Sequence, residues 1–272
     1  MANLPTRAGF LFNQMSVAII LPARLASTRL PNKLLLEAAG KTILEHTINR
    51  AQQAMAAAKG LITRVIVAAD DARLVAAAQR AGANAVLTDP NHTSGTDRIA
   101  EAAKDLREDI VVNLQADEPE IDPTCLVTVA NMLITSQDSI KMSTLAVPIF
   151  DEEEYKKPNV VKVIMNASGH AMYFSRAPVP FIRDANDAAT ANAWMMNGRR
   201  VFGLHHVGLY GYRRKFLLNY KHLPASPLEQ IEKLEQLRAL EAGYNIKVGL
   251  IQSHPPGIDT PQDYEAFLKR AK

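Results

Sequence analysis

Short apolar runs alternate with amphipathic helical segments along the first half of this chain. The first run, residues 17–21 (VAIIL), is continuous and ends at a proline, a pattern typical of a strand buried on both faces. Further strands are predicted at residues 64–69, 85–87 and 109–114, and helices at 42–58, 71–81, 96–106 and 124–133. The links between these segments are short. The alternation therefore predicts an α/β fold with a Rossmann-like, doubly wound, mostly parallel sheet.

The pattern changes after residue 138. Strands are predicted at residues 141–147, 160–165, 171–175 and 206–212, without helices between them, and 166–169 resembles a hairpin turn. The polar segment 184–200 is expected to be a mobile loop. A helix is then predicted at 227–243, a strand at 246–251, and a last helix beginning around Asp259-Thr260-Pro261. We interpret residues 15–272 as a single domain with a mostly β insertion at about 140–225. Residues 1–14 are expected to be an N-terminal tail, with Met1 and Met15 both open as start residues.

Composition narrows the classes of function. Hydrophobic residues make up 47% and charged residues 22% of the 272, which is typical of a folded globular protein. A net charge of +3 gives no reason to expect a nucleic-acid partner, and no apolar run reaches the length of a membrane span. The single cysteine, Cys125, excludes an internal disulfide and a cysteine metal site. We therefore expect a cytoplasmic protein without membrane insertion.

The loop after the first strand carries several groups that can bind an anion. Arg24, Arg29 and Lys33 lie within ten residues and are interleaved with the hydroxyls of Ser27 and Thr28. Ligands of open α/β sheets bind outside the carboxyl ends of the strands, so this loop is a candidate polyphosphate site. A solvated basic loop is the alternative. The loop contains neither a Walker A motif nor the G-x-G-x-x-G fingerprint, which disfavours an NAD-dependent dehydrogenase.

Two acids are predicted at the same edge of the sheet. Asp117 lies in QADEP after a buried strand, and Asp259 lies in GIDTP after the last strand. Carboxylate oxygens suit Mg²⁺, which bridges protein and phosphate oxygens. Each acid could instead only cap the helix that follows it. The turn NHTSGTDR is also suited to an anion, although Ser94 could simply cap a helix.

Other polar residues carry no functional argument by themselves. Arg176, His206 and Tyr210 lie on or beside predicted strands, where a lone histidine is more often structural than catalytic. In the predicted helix 227–243, Glu232, Glu235 and Gln236 are expected to share one turn, and charges there usually form a solvated face.

Taken together, the motifs PARLASTRLPNK, HTSGTDR, QADEP, YFSRAPVP, HHVGLYGYR, LEQLRALEAG and GIDTPQD resemble, in order and spacing, those of the 3-deoxy-manno-octulosonate (Kdo) cytidylyltransferases, the CMP-Kdo synthetase family. The resemblance extends from Met15 to the end of the chain. The combined set is specific, whereas each single motif also occurs in other sugar nucleotidyltransferases.

The resemblance implies a nucleotidyltransferase-type fold, with the β insertion forming a homodimer. It also implies the reaction of CTP with Kdo to give CMP-Kdo and pyrophosphate, for lipopolysaccharide synthesis, with Mg²⁺ as cofactor. It implies catalytic roles for Arg24, Lys33, Asp117 and Asp259, the two acids being the metal ligands. The implied nucleotide-binding residues are Pro22, Ala23, Arg24, Arg29, Lys33, Ser94, Gly95 and Thr96. The implied sugar-binding residues are Gln115, Arg176, His206, Tyr210, Glu235 and Gln236. No general base is evident, so activation of the attacking hydroxyl by the metal is expected.

The chain departs from the family pattern at two positions. Asn32 and Ala116 both stand where the family usually has glycine. Asparagine is the next-best residue for a left-handed turn, and Ala116 requires a negative φ. Another sugar acid, such as 8-amino-Kdo or sialic acid, remains open as substrate. A non-catalytic nucleotide-binding protein is a further alternative, against which the presence of both acids argues.

Overall fold

A computed structural model describes residues 15–92, 94–183 and 194–271. The strands are Val17–Ala23 (β1), Glu37–Ala38 (β2), Lys41–Thr42 (β3), Ile62–Ala69 (β4), Asn84–Leu87 (β5), Ile110–Asn113 (β6), Met142–Ile149 (β7), Lys162–Met165 (β8), Ala171–Ser175 (β9), Met195–Met196 (β10), Arg199–Arg200 (β11), Gly203–Arg213 (β12) and Ile246–Leu250 (β13). The helices are Ile43–Ala57 (α1), Ala72–Arg80 (α2), Gly95–Ala102 (α3), Pro123–Ile134 (α4), Glu152–Lys156 (α5), Arg214–Asn219 (α6), Pro227–Glu232 (α7), Gln236–Glu241 (α8) and Pro261–Arg270 (α9). Single 3-10 turns lie at Lys33–Leu35 and Tyr220–His222.

One nine-stranded sheet organises the domain. Its main path runs β13-β7-β12-β6-β1-β4-β5, with β8 and β9 attached beside β12. β1 pairs in parallel with β4 and with β6, whereas β12 is antiparallel to both of its neighbours on this path. The predicted α/β class with a mostly parallel sheet is confirmed. The strands predicted in the first half each lie within two residues of the observed ends.

The sheet separates two hydrophobic cores. Alternate residues of β1 enter opposite cores, with Ile19 on one face and Ile20 on the other. Side chains of α1, α2 and α4 pack on the first face, and those of α3, α6 and α8 pack on the second. Helices on both faces make the sheet doubly wound, which leaves the carboxyl ends of its parallel strands open to a ligand.

The strands after residue 138 join the same sheet. β7 and β12 lie within its main path, and only β8 and β9 extend beyond it. β8 and β9 form the predicted hairpin, closed by the Gly169 amide, which donates to the Asn166 carbonyl at 2.9 Å. No helices were predicted between these strands, but the short helix α5 lies between β7 and β8; α6 follows β12.

The predicted mobile loop at 184–200 is described only in part. Residues 184–193 lie outside the described residues. Residues 195–200 form a small hairpin of β10 and β11, turned by Asn197 and Gly198 with φ of 51° and 72°. Positive φ at both turn positions suits a tight hairpin and is met by Asn-Gly. The predicted loop therefore contains a hairpin at its end, and its mobility stays a prediction.

The prediction of one helix over residues 227–243 is also wrong. The segment forms two helices, α7 and α8, separated by a break at Lys233, which has φ 54° and ψ 46°. The break turns Leu234 into the second core, where it is 6% exposed. The guanidinium of Arg176 donates to the Glu232 and Lys233 carbonyls at 2.7 and 3.4 Å, which satisfies acceptors freed at the break. Glu232, Glu235 and Gln236 consequently do not share one helical turn.

Candidate active site

The loop after β1 lines a cleft of about 380 Å³ at the carboxyl ends of the parallel strands. Eight of the predicted residues line it: Pro22, Arg24, Arg29, Lys33, Gly95, Gln115, Asp117 and Asp259. Ser27 and Thr28 also line the cleft, so cations, hydroxyls and two carboxylates face one space. Ala23 is buried in β1 and is not among the residues that line the cleft; its carbonyl accepts from the Asp70 amide at 3.2 Å.

Lys33 lies at the centre of the charged groups in the cleft. Its ammonium contacts Asp117 Oδ2 at 2.5 Å and Asp259 Oδ1 at 2.8 Å, and Arg29 Nη2 contacts the other oxygen of Asp259 at 2.9 Å. Burial acts to lower the pKa of Lys33, but the two carboxylates outweigh burial and raise this pKa above its ordinary value. The sequence separation between Lys33 and Asp259 is 226 residues, so the fold alone brings this cluster together.

Local backbone geometry places Lys33 and the two acids. Asn32 adopts the predicted left-handed conformation, with φ 53° and ψ 28°, and begins the 3-10 turn that carries Lys33. Ala116 is not among the described residues with positive φ, as its side chain requires. The Ile258 amide donates to the Asp117 carbonyl at 2.9 Å, which fixes the two acidic loops side by side. Thr260, not Asp259, is the N-cap of α9, so Asp259 remains available to the cleft.

The turn before α3 forms the wall of the cleft next to β1. Ser94 is the N-cap of α3 and accepts from the Asp97 amide, so the simple capping role is realised. A Cβ added at Gly95 would lie 3.7 Å from the ring of Pro22, which shows how closely the turn approaches the loop. The Thr96 hydroxyl donates to Glu235 Oε2 at 2.7 Å, joining a predicted nucleotide residue to a predicted sugar residue.

A buried arginine beneath the loop was quoted within a motif but given no role in the sequence analysis. Arg98 is fully buried. Its Nη1 donates to the Thr88 hydroxyl at 2.5 Å, and its Nη2 lies 3.9 Å from Asp70 Oδ2. The other oxygen of Asp70 accepts from the Leu25 amide at 2.9 Å, so the pair supports the start of the loop. Burial, followed by repulsion from Arg24, lowers the pKa of Arg98 relative to an exposed arginine. Asp70 follows β4 directly, and that position at a strand end was the signal available in the sequence.

The predicted sugar residues fall into two groups. His206 and Tyr210 both lie on β12, with their ring centres 5.3 Å apart. Burial, followed by Tyr212 and Tyr220 and then by the charge of Glu235, raises the pKa of Tyr210. Gln236 is 4% exposed. Arg176 instead lies at the break between α7 and α8, where its guanidinium also donates to the Pro158 carbonyl at 3.1 Å.

His206 is neutral in this environment. It is buried, its Nε2 lies 3.0 Å from the Thr144 hydroxyl, and its ring packs edge-on against Phe174 at 4.8 Å. Burial, with smaller contributions from two other histidines, lowers its pKa to about 3. A group with this pKa is a weak base at neutral pH.

Lys162 was missed entirely by sequence reasoning. It is fully buried, and its ammonium donates to three carbonyls, of Val160, Arg176 and Lys157, at 2.6, 2.7 and 3.0 Å. Its sequence context, VVKVI, predicts a strand and gives no sign that the ammonium is enclosed. Lys162 donates to the Arg176 carbonyl, and the Arg176 side chain donates to the Glu232 carbonyl at the α7–α8 break, so the two residues together stabilise the break.

Residues 18–247 match the family model described as cytidylyltransferase, so the chain belongs to the cytidylyltransferase family. A relative from Acidovorax sp., named 3-deoxy-manno-octulosonate cytidylyltransferase, is 47% identical over 256 residues, covering 91% of this chain and 94% of the relative. A protein of the same name from Geotalea daltonii is 42% identical over 258 residues, covering 95% of this chain and 99% of the relative.

Solved structures agree with this family. A CMP:2-keto-3-deoxy-manno-octonic acid synthetase complexed with CTP is similar with a TM-score of 0.83 and 38% identity, covering 94% of this chain and 98% of that one. A cytidylyltransferase from Leptospira borgpetersenii, at 18% identity and a TM-score of 0.59, shares the fold, covering 93% of this chain and 85% of that one. The predicted nucleotidyltransferase-type fold and the predicted family are both confirmed.

Among the described residues, no helix is both long enough and apolar enough to cross a membrane.

Proposed function

We propose that this chain transfers CMP from CTP to the anomeric hydroxyl of Kdo, releasing pyrophosphate and supplying activated Kdo for lipopolysaccharide synthesis. The observation that carries the proposal is the cleft at the strand ends in which Lys33 meets Asp117 and Asp259. The relatives that carry the Kdo cytidylyltransferase name cover nearly the whole chain, and this supports the choice of base and sugar.

The cations of the loop would bind the triphosphate. Arg24, Arg29 and Lys33 line one cleft, where they can neutralise the phosphate oxygens and stabilise the departing pyrophosphate. Arg24 is oriented by its Nη2, which donates to the His92 carbonyl at 2.5 Å. The reaction needs charge neutralisation and in-line positioning more than covalent help, and the cations of this cleft would supply the charge neutralisation.

Asp117 and Asp259 have the donor set that Mg²⁺ prefers. One oxygen of each carboxylate contacts the same ammonium, so the two oxygens converge on a single point that a cation can occupy. Mg²⁺ is usually held by one or two carboxylates plus substrate phosphates, which fits two acids beside a triphosphate cleft. When bound there, Mg²⁺ would polarise the α-phosphate and lower the pKa of the attacking hydroxyl.

The sugar acid would bind beside the nucleotide turn. Gln115 lines the triphosphate cleft. Glu235 lines an adjoining cleft of about 510 Å³, which is also lined by Ser94 and Gly95. Gln115, Glu235 and Tyr210 would orient the sugar hydroxyls by hydrogen bonds. His206 would hold Thr144 and Tyr210 in place as a neutral ring. Arg176 is proposed to face the sugar carboxylate, for which it would exchange its contacts to carbonyl groups.

The β insertion would form a homodimer, and the enzyme would act in the cytoplasm, where CTP is available. Among the residues of 140–225 that the structure describes, three large apolar side chains are exposed: Met172 at 62%, Phe181 at 84% and Met195 at 43%. Phe181 is the most exposed of the large apolar side chains described, and a partner subunit would cover it. Sedimentation of the wild-type chain and of Phe181→Ser tests the dimer; a wild-type monomer would contradict it.

A pyrophosphate-release assay across CTP, UTP, ATP and GTP, with Kdo, 8-amino-Kdo and sialic acid, tests the proposed reaction. We expect Mg²⁺-dependent release with CTP and Kdo, and at least tenfold lower kcat/KM with the other pairs. A preference for another sugar acid would change the substrate but not the class of reaction. The absence of release with every pair would overturn the enzymatic proposal.

A further inference from the structure

The Lys33 ammonium lies where the proposed metal ligands converge. It contacts one oxygen of Asp117 and one of Asp259, at 2.5 and 2.8 Å, and its side chain is only 14% exposed. A cation bound by both acids would have to contact these same two oxygens. Lys33 and a divalent cation therefore compete for one position.

The charges around this position cancel in the absence of a nucleotide. The two carboxylates carry two negative charges, and Lys33 and Arg29 carry two positive charges, since Arg29 contacts the second oxygen of Asp259. A divalent cation entering this neutral cluster gains the attraction of two carboxylates but meets the repulsion of two adjacent cations. Its affinity for the nucleotide-free site should consequently be low.

A triphosphate changes this balance because it offers the cations another partner. Lys33, Asp117 and Asp259 line the same cleft as the rest of the loop, so the ammonium need only rotate on its flexible four-carbon stem to reach a phosphate there. Its departure frees both carboxylate oxygens at the moment when phosphate oxygens become available as further ligands. Nucleotide and metal would then bind cooperatively.

We propose that Lys33 is an internal counter-ion of the metal site, which occupies the position of the divalent cation until the triphosphate draws it away. This inference rests on the proposed role of Asp117 and Asp259 as metal ligands. It assigns Lys33 a second task besides binding phosphate, because it makes metal binding conditional on the nucleotide.

Mn²⁺ binding to the nucleotide-free enzyme, measured by electron paramagnetic resonance of the unbound ion, tests the proposal. Lys33→Met removes the competing charge, and Lys33→Gln removes it while keeping a hydrogen-bond donor in case the first variant is unstable. We expect both variants to bind Mn²⁺ more tightly than wild type, on the order of tenfold. In the double variant Lys33→Met/Asp259→Asn, the gain should disappear.

Arg29→Met is the matched control. Arg29 also contacts Asp259, but it is 64% exposed and does not bridge to Asp117, so its removal should raise Mn²⁺ affinity less than removal of Lys33. If both Lys33 variants fold and bind Mn²⁺ no more tightly than wild type, the counter-ion proposal is overturned. An equal gain in Arg29→Met would also overturn it, since general charge would then explain the effect.

A second titration separates this proposal from the metal site itself. With CTP present, Asp117→Asn and Asp259→Asn should each weaken Mn²⁺ binding, measured against a CTP-only baseline. If both acid variants weaken Mn²⁺ binding while the Lys33 variants show no gain in affinity, the proposed metal site is supported and the counter-ion role of Lys33 is overturned. If neither acid variant weakens binding, the two acids are not the metal ligands, and both proposals fall.

Discussion

The two halves of the candidate site are built in opposite ways. The triphosphate half is charged and partly open: Lys33, Asp117 and Asp259 form ion pairs with side chains that are 14%, 22% and 45% exposed. The sugar half is enclosed, with neutral His206 and with Lys162 donating to backbone carbonyls. The outer pair, Arg29 with Asp259, is exposed on both sides, and such pairs contribute little to stability and exchange partners readily, whereas buried hydrogen bonds fix a geometry. From this difference we expect the first half to rearrange when the proposed substrates bind, and the second half to be preformed.

The largest effect is expected from Asp117→Asn, in the triphosphate half. Turnover should fall by about 10² to 10³, because a ligand of the proposed metal ion is lost, while CTP affinity without metal should change little. Steady-state kinetics and calorimetry with CTP check this. Asp122→Asn, which keeps a cap on α4 outside the cleft, should retain turnover. Unchanged turnover in Asp117→Asn would remove this residue from the mechanism.

The next effect belongs to the sugar half. Lys162→Met leaves three carbonyls without their donor and should lower the free energy of unfolding by about 3 kcal/mol. KM for Kdo should rise more than KM for CTP, since Lys162 binds the Arg176 carbonyl. Urea unfolding and kinetics measure both, and exposed Lys157→Met is the control. An equal rise in the KM for Kdo and the KM for CTP would mean that the two halves are not separate units.

Acid should weaken the sugar half through His206. Its folded-state pKa of about 3 lies below the ordinary value of 6.5, so between these values the unfolded chain binds the proton more readily. Stability should therefore fall as pH drops from about 6.5 toward 3, by about 1 kcal/mol per pH unit from this residue. Urea midpoints at pH 7, 6, 5 and 4 test it. His206→Gln should have a shallower slope, and an unchanged slope would contradict a buried neutral histidine.

Glu118, beside the proposed triphosphate half, should give stability the opposite dependence on pH from that of His206. Burial, followed by the charge of Asp117, raises its pKa to about 8, and it faces His254 Nε2 at 3.8 Å. Because burial also lowers the pKa of His254 to about 4, this contact joins two neutral groups near pH 7, not an ion pair. The folded chain holds a proton that the unfolded chain releases above about pH 4.5, so stability should fall as pH rises from 4.5 to 8.

Glu118→Gln isolates this contribution. The stability of the variant relative to wild type should rise across the pH range from 5 to 8, by about 1 kcal/mol per unit at most. Parallel urea midpoints of the two proteins measure the difference. A difference that is constant with pH would mean that Glu118 is ionised in the folded state.

The smallest effect is expected from Arg29→Gln. Arg29 is largely exposed and contacts one oxygen of Asp259, so its removal should change the free energy of unfolding by less than about 0.5 kcal/mol. KM for CTP should rise a few-fold, and this rise should shrink at high salt because the contact is screened. A fall in turnover as large as that expected for Asp117→Asn would contradict the interpretation that the pair of Arg29 with Asp259 is exposed and exchangeable.

Local pattern was sufficient to predict the parallel half of the fold. Strand β1, its proline and the loop behind it, the left-handed Asn32 and the cap at Ser94 all depend on neighbours in sequence. Hydrophobic periodicity and turn chemistry act over a few residues, and these features can therefore be predicted from the sequence. The position of the loop that carries Arg24, Arg29 and Lys33 followed from the same reasoning, since strand ends of a parallel sheet share one edge.

The long-range contacts were decided by tertiary structure alone. The break at Lys233 interrupts a sequence with helical periodicity, because burial of Leu234 and the donors of Arg176 stabilise a turn that local propensity does not favour. Thr96 meets Glu235 across 139 residues, and Lys33 meets Asp259 across 226. The assembly of strands and helices decides which polar groups are buried and which partners they contact. The sequence around a single lysine or glutamate does not show whether that residue will be buried.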